Sequence, residues 1–236
     1  MPASRSLAAT VAVALLLTAS GCAAFQGGGT ADGDAIANRT VAALDGVDRY
    51  TYTSTVTVTD DNSSTAVDIS GAVDRADRRL RFEQSSGGES ASQYVVNDTI
   101  YANTSDGWVT RTIDAESFWS AQLPVAEQRT ILANASVTFE GNATIEGTDV
   151  YELSVDVSDS QLRGYLRQRL GVVSPEVSFS NVTYTAYVAH ETDRLKQVTS
   201  ETTASFNNQS VDVDATMSID GYGEDVTIEL PPDATE

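Results

Sequence analysis

The sequence contains very few of the residues that usually carry catalysis. Its 236 residues include one cysteine, one histidine and one lysine, against 34 aspartates and glutamates. A catalytic triad or a histidine metal site would have to use His190, which we interpret as a solvated residue of a polar hairpin turn. No G-x-S-x-G elbow, glycine-rich phosphate loop or H-E-x-x-H motif occurs. We therefore expect no enzyme, no cofactor and no metal site.

Positive charge is also scarce. The chain carries 14 basic residues against 34 acidic ones, for a formal net charge of −20 and a pI near 4.1. This balance excludes nucleic acid as a natural partner. Lys196 is the only lysine, and an acidic, lysine-poor surface is typical of halophilic proteins, in which molar salt shortens the Debye length to about 3 Å. We expect a haloarchaeal source and partial unfolding in low salt.

Long apolar runs are missing, since the longest spans residues 7–17 and about 20 apolar residues are needed to cross a bilayer. Arg5 precedes this run, and the small residues 18–21 follow it, directly before Cys22. A charged start, a short apolar run and small residues are typical of a signal peptide. We predict that residues 1–21 are removed on export.

The small residues before Cys22 resemble the lipobox of bacterial and archaeal lipoproteins, although Ala19 stands where leucine is commoner. The resemblance implies that a lipid is attached to the Cys22 thiol. Two alkyl chains hold a protein on a membrane more stably than one, so we predict a di-alkyl anchor on the extracellular side of the cell membrane. The glycine-rich residues 22–33 would form a flexible tether. The alternative is a cleaved secretory signal with an incidental cysteine.

Asparagine is rare but is concentrated in one motif. Eight of the nine asparagines begin an N-x-S/T sequon, the acceptor for N-glycosylation of exported proteins. Asn38 is the weakest candidate because it falls in a predicted helix. The remaining glycosylation candidates are Asn62, Asn97, Asn103, Asn134, Asn142, Asn181 and Asn208.

The dominant pattern of the chain is the alternation of apolar and polar residues. In YTYTSTVTVT, residues 50–59, Tyr50 and Tyr52 alternate with threonines, which predicts an antiparallel strand with one buried face. Similar alternation recurs along the chain, and it also predicts a strand over 226–230. Turn-forming residues separate about ten such strands.

Three regions show helical spacing instead. A helix is predicted over 34–44, another after a cap at Asp114 with an interruption at Pro124, and a third behind the capping-box pair Ser158 and Gln161. The apolar face of a sheet must be buried against other elements, and these helices are the elements that can pack on it. We predict an α+β fold in which residues 34–236 form one domain. Its architecture would be a curved antiparallel sheet, or half-open β-barrel, with helices packed on the concave face.

Three segments resemble a known superfamily: TIYANTSDGWV (99–109), NVTYTAYVAHETDRLKQVTS (181–200) and GYGEDVTIELPP (221–232). With the order of helices and strands, they are similar to the lipoprotein carriers and lipid-binding lipoproteins of the LolA, LolB, LppX and LprG types. The chain resembles more closely a haloarchaeal lipoprotein family, which carries no activity to transfer. The resemblance implies an apolar cavity between sheet and helices that holds acyl chains. Because a tethered Cys22 forbids long-range shuttling, we expect such a protein to hold, sense or extract lipid near the membrane.

Two hypotheses about function remain open. The first is a membrane-anchored extracellular lipoprotein that binds a lipid or another apolar ligand. Its cavity would be lined by Tyr50, Tyr52, Val67, Phe118, Trp119, Leu162, Tyr165 and Leu166. The second is a glycosylated cell-surface module with a structural role or a protein partner and no ligand. The first requires internal space for an apolar chain, whereas the second allows a fully packed interior.

Overall fold

A computed structural model describes residues 31–105, 107–170, 177–207 and 209–235, with the backbone alone at 165–170 and 235. The predicted signal peptide, Cys22 and most of the tether lie outside these residues, as does Asn208. The helices are α1 (Gly33–Leu44), α2 (Ala115–Ala121), α3 (Pro124–Asn134) and α4 (Asp159–Leu170), with a 3-10 helix at Pro232–Thr235. The strands are β1 (Arg49–Thr59), β2 (Ser64–Asp74), β3 (Arg79–Ser86), β4 (Glu89–Val96), β5 (Thr99–Thr104), β6 (Gly107–Thr112), β7 (Ser136–Ile145), β8 (Thr148–Asp156), β9 (Ser178–Ala189), β10 (Leu195–Phe206) and β11 (Gln209–Asp220).

All eleven described strands form one antiparallel sheet in the order β6-β5-β4-β3-β2-β1-β11-β10-β9-β8-β7. The sheet does not close, so β6 and β7 are its two edges. Two meanders, β1 to β6 and β7 to β11, are joined side by side through the pairing of β1 with β11. The predicted fold class is confirmed, with one strand more than the sequence pattern indicated.

Burial along β1 follows the predicted alternation. Tyr50 and Tyr52 are 1% and 9% exposed, whereas Thr53 and Thr55 on the opposite face are exposed. The face that carries Tyr50 is the concave one, because the buried residues of α1, α2 and α3 pack against it in a single core. The other face is the convex face. It is rich in Thr, Ser and Asp, which keep it hydrated.

The helix boundaries follow the predicted capping signals. The Asp114 carboxylate accepts a hydrogen bond from the Ser117 N–H at 3.0 Å at the start of α2. The Ser158 N–H donates to Gln161 Oε1 at 2.9 Å, and the Gln161 N–H donates to Ser158 Oγ at 3.3 Å. This reciprocal pair is the capping box expected before α4. Capping chemistry therefore located two helix starts from the sequence.

The strand predicted over 226–230 is wrong. Residues 221–235 instead form a segment that we call the C-terminal strap, which begins in a turn, continues without regular secondary structure and ends in the 3-10 helix. Its Gly223 N–H donates to the Arg49 carbonyl at 2.9 Å, and Arg79 donates to the Ile228 carbonyl at 2.8 Å. The strap therefore passes the first residues of β1 and β3, and its 3-10 helix contacts β6. The alternation reflects burial of one side, with Ile228 4% exposed, and no pairing in the sheet.

Candidate functional site

One end of the concave face is closed by helices. Tyr50, near the start of β1, is 1% exposed, and its hydroxyl accepts a hydrogen bond from the Val125 N–H of α3 at 3.3 Å. Trp119 of α2 donates its indole N–H to the Asn97 carbonyl at 2.6 Å. Burial raises the pKa of the Tyr50 hydroxyl far above its usual range, against the opposing effect of the Val125 hydrogen bond. This end is packed hydrophobic core.

The cleft beneath these helices is small. Its volume is about 20 Å³, and its lining includes Leu44 of α1, Tyr50 of β1 and Val125 of α3. Such a volume holds about one water molecule. An acyl chain does not fit in this cleft.

The apolar surface continues along the concave face beyond the packed end. Val56 of β1 lies between Val67 of β2 and Ala215 of β11, and all three are partly exposed. Ile69 and Met217, one pair nearer the helices, contact the buried core. Together with Val213, these residues form a partly exposed and mainly apolar floor that we call the trough, in which Ser54 lies between Ile69 and Met217. Val58, at its outer end, is 37% exposed.

Helix α4 places a cation beside the sheet near the trough. Arg163 is paired with Asp159 at 2.8 Å, and its guanidinium lies 5.5 Å from the centroid of the Phe179 ring. Phe179 lies opposite Ala204 of β10, on the same face as the trough. This cation–π contact holds a positive charge next to an apolar surface. Because Asp159 and the Val177 carbonyl already bond this guanidinium, an anionic ligand would have to displace Asp159 to pair with it.

The structure describes the side chains of six predicted cavity-lining residues, which are divided between the packed core, the trough and α4. Tyr50, Tyr52 and Trp119 are core residues, and Phe118 packs edge-to-face on Trp119 at a centroid distance of 5.2 Å. Val67 lies in the trough. Leu162 of α4 is partly buried, and the side chains of Tyr165 and Leu166 lie outside the described residues. The ligand-binding role of this set remains a prediction.

Sequence reasoning missed most of the trough. Val56, Ala215 and Met217 were all present in the alternating patterns of β1 and β11, but alternation alone does not show where helices stop covering a strand. To predict the trough, one would have to know how far each strand extends past the helices that cover the sheet. Strands β1 and β11 run 11 and 12 residues, longer than the part that the helices bury.

The convex face carries a depression of different chemistry. It has a volume of about 350 Å³ and is open to solvent. Most of its lining residues are hydroxyl-bearing or acidic residues of the convex face: Thr53, Thr55, Asp68, Ser70, Glu83, Ser85 and Ser90. Ser54, Ile69 and Gln84, which alternate with them along the same strands, complete the lining. The Thr55 hydroxyl donates to Asp68 at 2.7 Å, so some polar side chains of this surface already bond one another. It does not suit an apolar ligand.

The interpretation of His190 as a solvated residue needs correction. Its ring stacks on Tyr151 with a centroid distance of 4.0 Å and an interplanar angle of 36°. Its Nε2 atom is buried and has no hydrogen-bond partner among the described residues. The polar neighbours Glu191 and Thr192 remain exposed, which is why the sequence pattern indicated a solvated turn.

The sequon asparagines lie on the surface wherever the structure describes them. Asn62, Asn97, Asn103, Asn134, Asn142 and Asn181 are all exposed. They occupy hairpin turns, strands and the last residue of α3. Exposure permits glycosylation at each of them, and the occupancy of each remains a prediction.

Comparison with solved structures shows a shared fold. The lipoprotein LppX of Mycobacterium tuberculosis is 14% identical over 83% of this chain and 97% of its own, with a TM-score of 0.51. LprF of Mycobacterium bovis is 14% identical over 84% and 96%, with a TM-score of 0.49. A LolA-superfamily protein of Nitrosomonas europaea is 7% identical over 85% and 95%, with a TM-score of 0.32. The match to LppX shows that the two chains share their fold.

No family model matches the sequence, and no curated protein does. Among the helices that the structure describes, none has the length and hydropathy needed to cross a membrane.

Proposed function

We propose that this protein is an extracellular lipoprotein, anchored to the cell membrane through Cys22, that binds a lipid or another apolar ligand in the trough. The observation that carries the proposal is the partly exposed apolar floor around Val56 and Ala215. Burial of apolar surface contributes about 25 cal/mol per Å², so an apolar chain along this floor would be stabilised along its length. The fold shared with a lipoprotein supports the same proposal.

The predicted anchor gives the ligand a source. Residues 22–32, which precede α1, would reach roughly 40 Å if fully extended at about 3.5 Å per residue. The domain would therefore stay close to the membrane surface, where lipids are concentrated. An anionic headgroup would compete with Asp159 for the guanidinium of Arg163, which lies beside Phe179. Together these features favour a membrane lipid over a freely diffusing apolar molecule.

The test uses the full chain, produced in a haloarchaeal host and purified in molar salt. Native mass spectrometry and lipid extraction are expected to show a co-purifying lipid. Ala215→Trp fills the trough and is expected to reduce the bound lipid at least tenfold. The control is Thr216→Trp, which places the same side chain on the exposed convex face of the same strand and is expected to leave lipid content unchanged. An empty wild type, or equal lipid in the two variants, would contradict the trough as the site.

The same sample tests the anchor separately. Mass analysis of the N-terminal peptide is expected to show Cys22 as the first residue with a di-alkyl modification. A free thiol or an uncleaved leader would overturn the anchor while leaving the lipid measurement of the trough intact.

A second function is favoured by the exposed sequons. A glycosylated surface module without a ligand would also place Asn62 and Asn97 in exposed hairpin turns. It differs from the first proposal at the trough, which would then serve a protein partner or remain empty. The lipid measurement above distinguishes the two.

A further inference from the structure

The two edge strands of the sheet are a hazard to the folded protein. An edge presents unpaired N–H and C=O groups that pair readily with the edge of another molecule. Strand β6 is one edge, and its Val109 is 50% exposed. Strand β7 is the other. Helix α1 covers its first residues, where Asp34 accepts a hydrogen bond from the Val137 N–H, and the strand is open beyond a bulge between Phe139 and Gly141. The bulge blunts β7 in part, and molar salt strengthens apolar association at both edges.

A sequon asparagine lies opposite an aromatic residue at each of these edges. Asn103 of β5 pairs with Trp108 of β6, and Asn142 of β7 pairs with Tyr151 of β8. Residues directly opposite in an antiparallel pair share one face, with their Cβ atoms about 5 Å apart. A group attached to either asparagine therefore begins beside an aromatic ring.

Both rings are held in place by neighbours. Trp108 lies 5.9 Å from Tyr94, which is itself 7% exposed on the otherwise polar convex face. Tyr151 is stacked on His190 at 4.0 Å. Trp108 and Tyr151 are half-buried, so each keeps a surface available for contact. Each ring therefore presents a fixed aromatic surface next to a sequon asparagine.

The other described sequons lack this arrangement. Asn62 and Asn97 lie in hairpin turns, Asn38 and Asn134 lie in helices, and Asn181 sits where β9 shifts register. Within the strand pairs that the structure describes, Asn103 and Asn142 are the two sequon asparagines placed opposite aromatic rings. One is found at each edge of the sheet.

We propose that Asn103 and Asn142 carry N-linked glycans that pack on Trp108 and Tyr151 and cover the parts of the two edges that the strap and α1 leave open. This inference rests on the proposed export of the chain. The negative face of an aromatic ring attracts the polarised C–H groups of a pyranose. A glycan held on the ring occupies the space beside the edge strand. It therefore prevents a strand of another molecule from pairing with that edge.

The attachment is a glycosyl transfer from a polyprenyl-phosphate-linked oligosaccharide. A bond forms between the asparagine amide nitrogen and the anomeric carbon of the first sugar, and the bond between that carbon and the phosphate oxygen breaks. The phosphate leaves with the electron pair, and the amide nitrogen loses one proton to solvent.

The first test is glycopeptide mapping of the full chain from a glycosylating haloarchaeal host. Asn103 and Asn142 are expected to be occupied. Glycans on other sequons with both of these bare would overturn this inference and leave export intact. A chain without any glycan would overturn it as well, while the lipid content of the trough and the modification of Cys22 still report on the proposed function.

The second test measures self-association in molar salt by light scattering. Asn103→Gln with Asn142→Gln is expected to form dimers and larger species at concentrations where wild type is monomeric. Asn62→Gln, which removes a turn sequon, is the control and is expected to remain monomeric. Ser105→Ala with Thr144→Ala removes the same two sequons by another route, and circular dichroism checks that each variant is folded. A monomeric double variant with occupied wild-type sites would overturn the covering role.

Discussion

At the scale of single residues, Tyr50 supplies the N-terminal cap that the residues before α3 do not provide. Leu123 at the N-cap of α3 makes no side-chain capping bond, and Pro124 has no N–H to offer. The next N–H, from Val125, donates to the Tyr50 hydroxyl at 3.3 Å. A side chain from the sheet therefore caps a helix that lies across it, and the bond links helix position to sheet position.

Tyr50→Phe is expected to lower the free energy of unfolding by about 1–2 kcal/mol, because a buried N–H loses its partner. Chemical denaturation in molar salt measures the change. Tyr187→Phe is the matched control, since its hydroxyl lies at a partly exposed site where water can replace its contacts with Glu152, at 3.5 Å, and with Thr199. It is expected to change stability by less than about 0.5 kcal/mol. Equal losses in the two variants would contradict the capping role.

The same variant tests the pH dependence. Burial raises the pKa of Tyr50 in the folded state, whereas an unfolded tyrosine ionises near pH 10. The stability contribution of Tyr50 is therefore complete below about pH 10 and is lost as pH rises further. Denaturation series from pH 8 to 11 are expected to fall less steeply for Tyr50→Phe than for wild type. Lys196 adds a decline of the same sign to both proteins, because its bonds to Asp220 and Glu146 outweigh burial and raise its pKa.

At the scale of secondary-structure elements, α1 begins in direct contact with a strand. A Cβ atom added to Gly33 would lie 2.4 Å from the Val137 carbonyl oxygen and 2.7 Å from the Phe139 nitrogen. Asp34 accepts a hydrogen bond from the Val137 N–H at 2.9 Å. The absence of a side chain at Gly33 therefore lets α1 dock on the backbone of β7.

Gly33→Ala is expected to destabilise the protein by about 2–3 kcal/mol, because the clash involves backbone atoms that cannot rotate away. Gly164→Ala is the control, since a Cβ at Gly164 in α4 meets nothing within 4 Å. It is expected to be stabilising by about 0.5–1 kcal/mol through helix propensity. Thermal unfolding in molar salt checks both. A harmless Gly33→Ala would show that α1 does not depend on this contact.

The elements that could be predicted from the sequence are those with a local cause. The capping residues Asp114 and Ser158 marked helix starts, and the alternation from Tyr50 onward marked a strand. The strand predicted over residues 226–230 was wrong because any segment with one buried side alternates apolar and polar residues. That alternation does not show whether the segment pairs with a strand. The trough was missed because the end of helical cover is set by packing across the sheet, which no local pattern records.

At the scale of the whole molecule, the chain carries an excess of 20 negative charges, and two of them meet on the convex face. Glu201 of β10 lies directly opposite Asp214 of β11, and like charges in that position are destabilising. Screening by molar salt reduces this repulsion, because the Debye length falls to about 3 Å from about 10 Å at 0.1 M. The structure therefore contains a specific contact that depends on salt.

Desalting from molar to about 0.1 M salt is expected to unfold the protein partly, as measured by circular dichroism. Asp214→Asn removes one half of the pair and is expected to lower the salt concentration at the unfolding midpoint. Glu191→Gln removes one charge from the exposed turn between β9 and β10 and is expected to shift the midpoint less. Equal shifts would attribute the salt requirement to net charge alone.

The pairing of β1 with β11 has a consequence for the order of events during biogenesis. Half of the sheet grows outward from β1 and the other half ends at β11, so the central seam joins segments made early and late in translation. Contacts of such long sequence separation form slowly. The central strand pair of the sheet cannot form until β11 has been synthesised. Until then, one side of β1 has unpaired backbone N–H and C=O groups that another chain could bond. A chaperone that shields β1 until the final hairpin has been made would therefore help the chain to fold.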